Sequence, residues 1–282
     1  MALNYSSLDT TLTLFKYPAD KKPVLIILLF SVIDFTAYFM IENLWVLIGF
    51  WLLMIVPKGV ISAWNHHHQH CHVFKPNWMN RVLEFFYALH TGVTTNLWVL
   101  HHNLGHHRNF LDQSKDESRW KRQDGSTMGA LEYTLSVTLT AYPRGYQVGK
   151  HYPKLQKQFV TYGLITFALL TALTIYNPLN ALFIFILPMI GSLLYTSWAT
   201  YGHHTGLDTD DQFAGSHNIT EKWFNVLTGN LGFHTAHHFK QGVHWSKLPA
   251  LHEEIKGKIP EECFKKSFFD VFAKIKQSKQ EA

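Results

Sequence analysis

Two long apolar stretches dominate the chain, residues 24–56 and 159–201, and neither contains a lysine or arginine. A membrane-crossing helix needs about 20 apolar residues, so each stretch is too long for one crossing and suits two. The first breaks at Ile41-Glu42-Asn43 and the second at Tyr176-Asn177-Pro178-Leu179-Asn180, both short and polar. The pattern predicts four transmembrane helices in two hairpins, near 24–41, 44–61, 159–176 and 181–201. Between them, 82–100 is apolar but interrupted by Glu84, His90 and Asn96, which reads as an interfacial or re-entrant helix, and 129–142 reads as a shorter one. Phe264, Phe268, Phe269, Phe272 and Ile275 recur at helical spacing among Lys265, Lys266, Lys274 and Lys276. That segment suits either the membrane surface or packing on the protein's own core. With no repeat beyond the hairpins and no linker, residues 1–282 read as a single domain.

Composition points the same way. Charged residues make up 16% of the chain against 47% hydrophobic, where an ordinary soluble domain carries about a quarter charged, so a wettable surface is hard to build. The basic residues fall to the N-terminal, middle and C-terminal segments, which the positive-inside rule makes cytoplasmic. The net charge of +5 suits a face resting on anionic headgroups, and no nucleic-acid partner is expected. The first 20 residues are mixed and polar, without the pattern of a cleavable signal. Two cysteines, Cys71 and Cys263, build no disulfide framework. The expected architecture is therefore an all-α membrane protein with a cytoplasmic helical cap.

The chain holds 19 histidines, most of them in four clusters, at 66–72, 101–107, 203–204 and 234–238. Each follows an apolar segment on the side read as cytoplasmic, so all four can meet. Residues three or four apart share a helix face, so two imidazoles at that spacing can hold one ion. His68 with His72 fits, as do His102 with His106, and His234 with His237 or His238. Neighbours such as His106 and His107 diverge by about 100°, so one can serve one metal and its neighbour a second. The candidates number nine: His68, His72, His102, His106, His107, one of His203 and His204, His234, His237 and His238. Nine are too many for one tetrahedral zinc and suit two ions of higher coordination. Imidazoles alone do not select the metal. A metal pair at the mouth of an apolar bundle is placed to act on a lipid chain.

The order H-x3-H, H-x3-HH, H-x2-HH resembles the three histidine boxes of the membrane fatty acid desaturase superfamily, which also contains hydroxylases, ketolases and a terminal-alkene-forming fatty acid decarboxylase. Tyr201-Gly202-His203-His204 is similar to the extra histidine that members supply after the last span, and 233–249 resembles their closing pattern. The resemblance implies a non-haem centre of two iron ions that uses O2 and two electrons to abstract hydrogen from an unactivated C–H bond of a fatty acyl chain. A desaturase is expected first, with a fatty acid or alkane hydroxylase or a decarboxylase as the alternative. A non-catalytic metal-binding or metal-transport membrane protein is the alternative from another class. No haem-binding fusion is present, so the resemblance implies a separate electron donor, a ferredoxin, a rubredoxin or a b-type cytochrome with its reductase.

Box one is crowded. His67-x2-His70 competes with His68-x3-His72, and the latter is preferred because HQHCH resembles an H-x-H-x-H form of bacterial members. His203 is preferred to His204. His66, His67, His70 and His101 read as supporting or surface groups, His90, His151, His217 and His252 as structural, and His244 as a group orienting a ligand or touching iron through water. Carboxylates that could accept the second ring N–H of a ligand are Asp112, Asp116, Glu117, Asp208, Asp210 and Asp211. Asn230 could hold a metal-bound water or pack. Asp34, in mid-span, reads as a helix–helix hydrogen bond or a polar spot in a channel.

Overall fold

The computed structural model describes residues 14–270. It is mostly helical, and four helices are long and apolar enough to cross a membrane: Pro18–Met40, Leu44–His70, Pro153–Tyr176 and Pro178–His204. The first contains α1 (Lys21–Met40), the second is α2 (Leu44–His70) and the third α5 (Pro153–Tyr176). The fourth joins α6 (Pro178–Ala181), a π-helical turn (Leu182–Ile186) and α7 (Leu187–His204) without a break. Leu25, Leu29, Val32, Leu53, Val56, Leu164, Phe167 and Ile175 are exposed on the outer faces of these helices, the pattern of an integral membrane protein presenting side chains to lipid.

The second and fourth helices run past the apolar ends at 61 and 201 expected from sequence. Once nucleated, a helix propagates through polar residues that tertiary contacts can satisfy. This carries α2 through His66–His70 and α7 through His203 and His204. α2 packs chiefly on α7 and on α3 (Asn77–Thr91), and α1 packs on α3. Asn43 caps α2, its side-chain oxygen accepting from the backbone N–H groups of Trp45 and Val46.

Segment 82–100 is not one helix. α3 ends at Gly92, whose φ of 71° is left-handed, and a Cβ there would stand 2.9 Å from the Leu193 side chain and 3.1 Å from the Met189 carbonyl oxygen. Only glycine lets α3 close onto α7 at this point. The chain re-enters a helix of π type, Val99–His107. α4 (Ala130–Gly149) is longer than the sequence suggested and packs on α7 and the π-helix, while Leu131, Leu135 and Leu139 face outward. Three short helices follow: α8 (Lys222–Thr228), α9 (His234–Phe239) and α10 (Leu248–Ile255). A two-residue parallel pair, Asn218–Ile219 with Phe264–Lys265, brings the C-terminal segment back beside the entry to α9. There Phe268 is buried against Trp198 and Gly202, whereas Phe269 is exposed. Phe272, Lys274, Ile275 and Lys276 lie outside the described residues.

Lys58 does not belong with the flanking basic residues; it sits inside α2, 1% exposed, because Asp34 of α1 neutralises it. Its Nζ donates to Asp34 Oδ2 at 2.7 Å and to the Ile184 carbonyl at 2.8 Å. His90 Nδ1 lies 3.1 Å from the same Asp34 oxygen, and its Nε2 is 2.9 Å from Ser31 Oγ. Asp34 is thus a helix–helix tie rather than a lone mid-span acid.

Candidate metal centre

The C-terminal ends of α2 and α7, the π-helix and α9 meet at one end of the bundle. Each element dictates which ring nitrogens converge. On α2, His66 and His70 are four apart and share a face. In the π-helix the repeat widens toward five residues, so His102 faces His107, and their Nε2 atoms are 3.0 Å apart. On α9 the adjacent His237 and His238 diverge, so they serve different groups.

Two groups result. His66, His70, His102, His107 and His237 bring one ring nitrogen each within 4.8 Å of the others, and His66 Nε2 is 2.7 Å from His102 Nε2. His106, His204 and His238 form the second, with His106 Nε2 3.2 Å from His204 Nε2. His234 joins it through its Nε2, 3.1 Å from that of His204. All these rings are buried except that of His70, which is partly buried.

Such convergence cannot be satisfied by hydrogen bonds alone, since a neutral imidazole carries one N–H and one lone pair. Buried His70 Nε2, His237 Nε2 and both nitrogens of His238 have no hydrogen-bond partner among the described residues. Burial, and then the neighbouring imidazoles, hold His102, His107, His234, His237 and His238 well below the ordinary imidazole pKa. They are therefore neutral at pH 7, the form that ligates a metal. The donor set fits two cations.

The outer nitrogens are fixed as ligands require. His106 Nδ1 donates to Asp116 Oδ1 at 2.8 Å, and that oxygen also accepts from the Ser118 backbone N–H at 2.7 Å. His204 Nδ1 donates to the Gly215 carbonyl at 2.9 Å, turning its Nε2 lone pair into the group. Of the carboxylates named from sequence, Asp116 is the one that reaches a clustered histidine through a hydrogen bond. Asp112 bonds Lys115 within its own loop, and Asp208 pairs with Lys121. Desolvation raises the Glu117 pKa, and its backbone carbonyl accepts from Arg144.

Six of the nine sequence candidates therefore lie in or beside these groups, His102, His106, His107, His234, His237 and His238, and His204 stands in the place for which the sequence reading preferred His203. His203 instead stacks on His234 with ring centroids 3.7 Å apart, its Nδ1 3.1 Å from the His217 carbonyl. His68 and His72 are brought to Glu84, on the other side of α2, and His66 and His70 stand in the first group. The signal for His66 and His70 was present as a second H-x3-H pair; the rotation of α2 that selects it comes from packing on α3 and α7. His67 contacts the Thr228 carbonyl at 2.9 Å, and His101 is buried with its pKa lowered to about 3. His244 contacts Asp20 Oδ1 at 3.0 Å, and Asn230 donates to the Trp245 carbonyl at 3.2 Å, so both tie segments together.

A narrow cavity of about 60 Å³ touches His66, His102, His203 and His234. Tyr195, Phe224, Thr228 and Phe268 line both it and a wider apolar cavity of about 470 Å³. Trp51, Ile55, Leu187, Trp198 and Trp223 form much of the wider wall, between α2, α7 and α8. The wider cavity, on the bundle flank, therefore adjoins the narrow one beside the histidines.

A family model described as fatty acid desaturase matches residues 43–268, which takes in both histidine groups and three of the four long helices. No curated protein and no solved structure matches the chain.

Proposed function

This chain belongs to the fatty acid desaturase family, and on that premise we propose that it is a membrane oxidoreductase that desaturates a fatty acyl chain. The observation that carries the reading is two adjacent, buried, all-histidine groups at the neck of an apolar cavity. We assign His66, His70, His102, His107 and His237 to one iron ion and His106, His204, His234 and His238 to the other. Iron in such a site supplies, with O2 and two electrons, the power to remove hydrogen from an unactivated C–H bond.

The chain's own residues do the rest. The aromatic walls of the wide cavity bind the acyl chain by burying its surface, worth about 0.8 kcal/mol per methylene. The narrow neck formed by Tyr195, Phe224, Thr228 and Phe268 excludes water and fixes which carbon faces the histidines. Asp116 and the Gly215 carbonyl hold His106 and His204 in one tautomer. The linkers at 41–43 and 177 stand at the opposite end of the long helices from the histidines. With the basic segments on the histidine side, we read that side as cytoplasmic, where a soluble or peripheral electron donor docks.

The test is an assay of detergent-purified, iron-loaded protein with a panel of fatty acids and acyl thioesters, O2 and a reducing system, read by gas chromatography. A new internal double bond that requires O2 is the expected product. An alcohol, or an alkene one carbon shorter, would move the reaction to hydroxylation or decarboxylation. Absence of any oxygen-dependent product across the panel would overturn the oxidative reading.

A further inference from the structure

The third group of metal-binding side chains, His68, His72 and Glu84, belongs to neither of the two above. We propose that it is a separate site for one divalent cation of the zinc type, which fastens the C-terminal end of α2 to α3.

His68 and His72 are four residues apart where α2 gives way to extended chain at Cys71, with ring centroids 5.2 Å apart. His68 sits about 200° around α2 from His66, and His72 follows it past the helix end, so both sides of one histidine run can be used. Glu84 comes from the middle of α3. Its Oε1 is 3.4 Å from His68 Nε2 and 3.5 Å from His72 Nε2. Those distances are long for charge-assisted hydrogen bonds, which run near 2.7–2.9 Å. They suit ligands of a shared ion: two atoms about 2.1 Å from a tetrahedral centre stand roughly 3.4 Å apart.

The surroundings match a ligand set. Arg81 Nη1 donates to Glu84 Oε2 at 2.6 Å, which fixes the carboxylate and leaves Oε1 directed at the imidazoles. Arg81 Nη2 also lies 3.3 Å from His72 Nε2, so this guanidinium competes with the ion for one lone pair. The Arg81 side chain is 16% exposed, and its Nη1 donates to Asn96 Oδ1 at 3.2 Å as well. His68 is fully buried, and its Nδ1 has no hydrogen-bond partner among the described residues. His72 is 27% exposed, which opens a path for the ion and for a water as fourth ligand. The partial negative charge at the end of α2 adds attraction for a cation.

The experiment compares the full-length wild-type protein with His72→Asn and Glu84→Gln, each titrated with zinc ion alone, desalted and analysed for zinc and iron. Wild type is expected to retain one zinc more than either variant, with at least tenfold weaker zinc binding in His72→Asn and unchanged iron. Zinc should also raise the melting temperature of wild type but not of His72→Asn. His72 is part-exposed and the change is polar, so this variant decides the matter even if Glu84→Gln fails to fold. Equal zinc in wild type and His72→Asn, or none in wild type at tens of micromolar, would overturn the proposal. Because the readout is a difference of one ion, it holds whichever metal the other histidines take.

Discussion

Asp34→Asn is the substitution with the largest expected effect away from the histidines. It leaves the Lys58 ammonium, 1% exposed inside α2, with only the Ile184 carbonyl and a neutral amide. Removing one partner of a buried ion pair costs about 3–5 kcal/mol in soluble proteins. Polar contacts between membrane helices measure less, so about 3 kcal/mol is the working figure here. For a chain of this size that corresponds to a fall of roughly 6–12 °C in melting temperature. Lys58→Met should cost less, because Asp34 keeps His90 at 3.1 Å. The double variant Asp34→Asn/Lys58→Met should recover most of the loss, since replacing both charges leaves nothing unpaired. Thermal melts of the three variants in one detergent, with iron content followed in parallel, give the comparison. A melting temperature for Asp34→Asn within 1 °C of wild type, or a double variant worse than both singles, would refute the assignment of this pair as a structural tie.

Other outcomes follow from the site and its cavity. Asp116→Ala removes the acceptor that orients His106, and should weaken iron binding about 10–100-fold, so mild chelation strips about one iron per chain while wild type stays loaded. Gly191→Phe adds a ring on the wall of the wide cavity, where a Cβ meets nothing within 4 Å. The protein should fold normally but turn over its longest substrates more slowly than shorter ones; an unchanged chain-length profile would remove this cavity from the substrate path. The buried His102, His107, His234, His237 and His238 have depressed pKa values, so the unfolded chain binds their protons near pH 6.5 and the folded chain does not. Metal-stripped protein should therefore lose stability as pH falls below about 6.5, at up to about 1.4 kcal/mol per pH unit for each ring, and be insensitive above it. A flat melting curve from pH 8 to 5.5 would mean that these rings are not buried in the metal-free state.

The membrane helices were legible because the absence of lysine and arginine over 24–56 and 159–201 is a long-range signal that survives any local detail. Their ends were not, because helices continue into the histidine runs and Pro57 does not stop α2. Lys58 follows that proline directly and reads as a flank until Asp34, on another helix, supplies its counter-charge. That the histidines of boxes two and three come together was legible from their spacing. Box one holds overlapping H-x3-H pairs in 66–72, and only the rotation of α2 against its neighbours separates them. The pairing of His102 with His107 depends on the π repeat of 99–107, which the three-and-four spacing of an α-helix does not anticipate. His203 and His204 differ by about 100° around α7, and the Gly215 carbonyl, eleven residues further on, turns His204 toward the second group.

The proposed centre is a pair of inequivalent iron sites built from five and four histidines. Mössbauer spectroscopy of the purified protein loaded with iron-57 tests it most directly. Two irons per chain and two quadrupole doublets of equal area, one for each ligand set, are expected. One iron per chain with a single doublet, or no iron retained while zinc fills both groups, would contradict it.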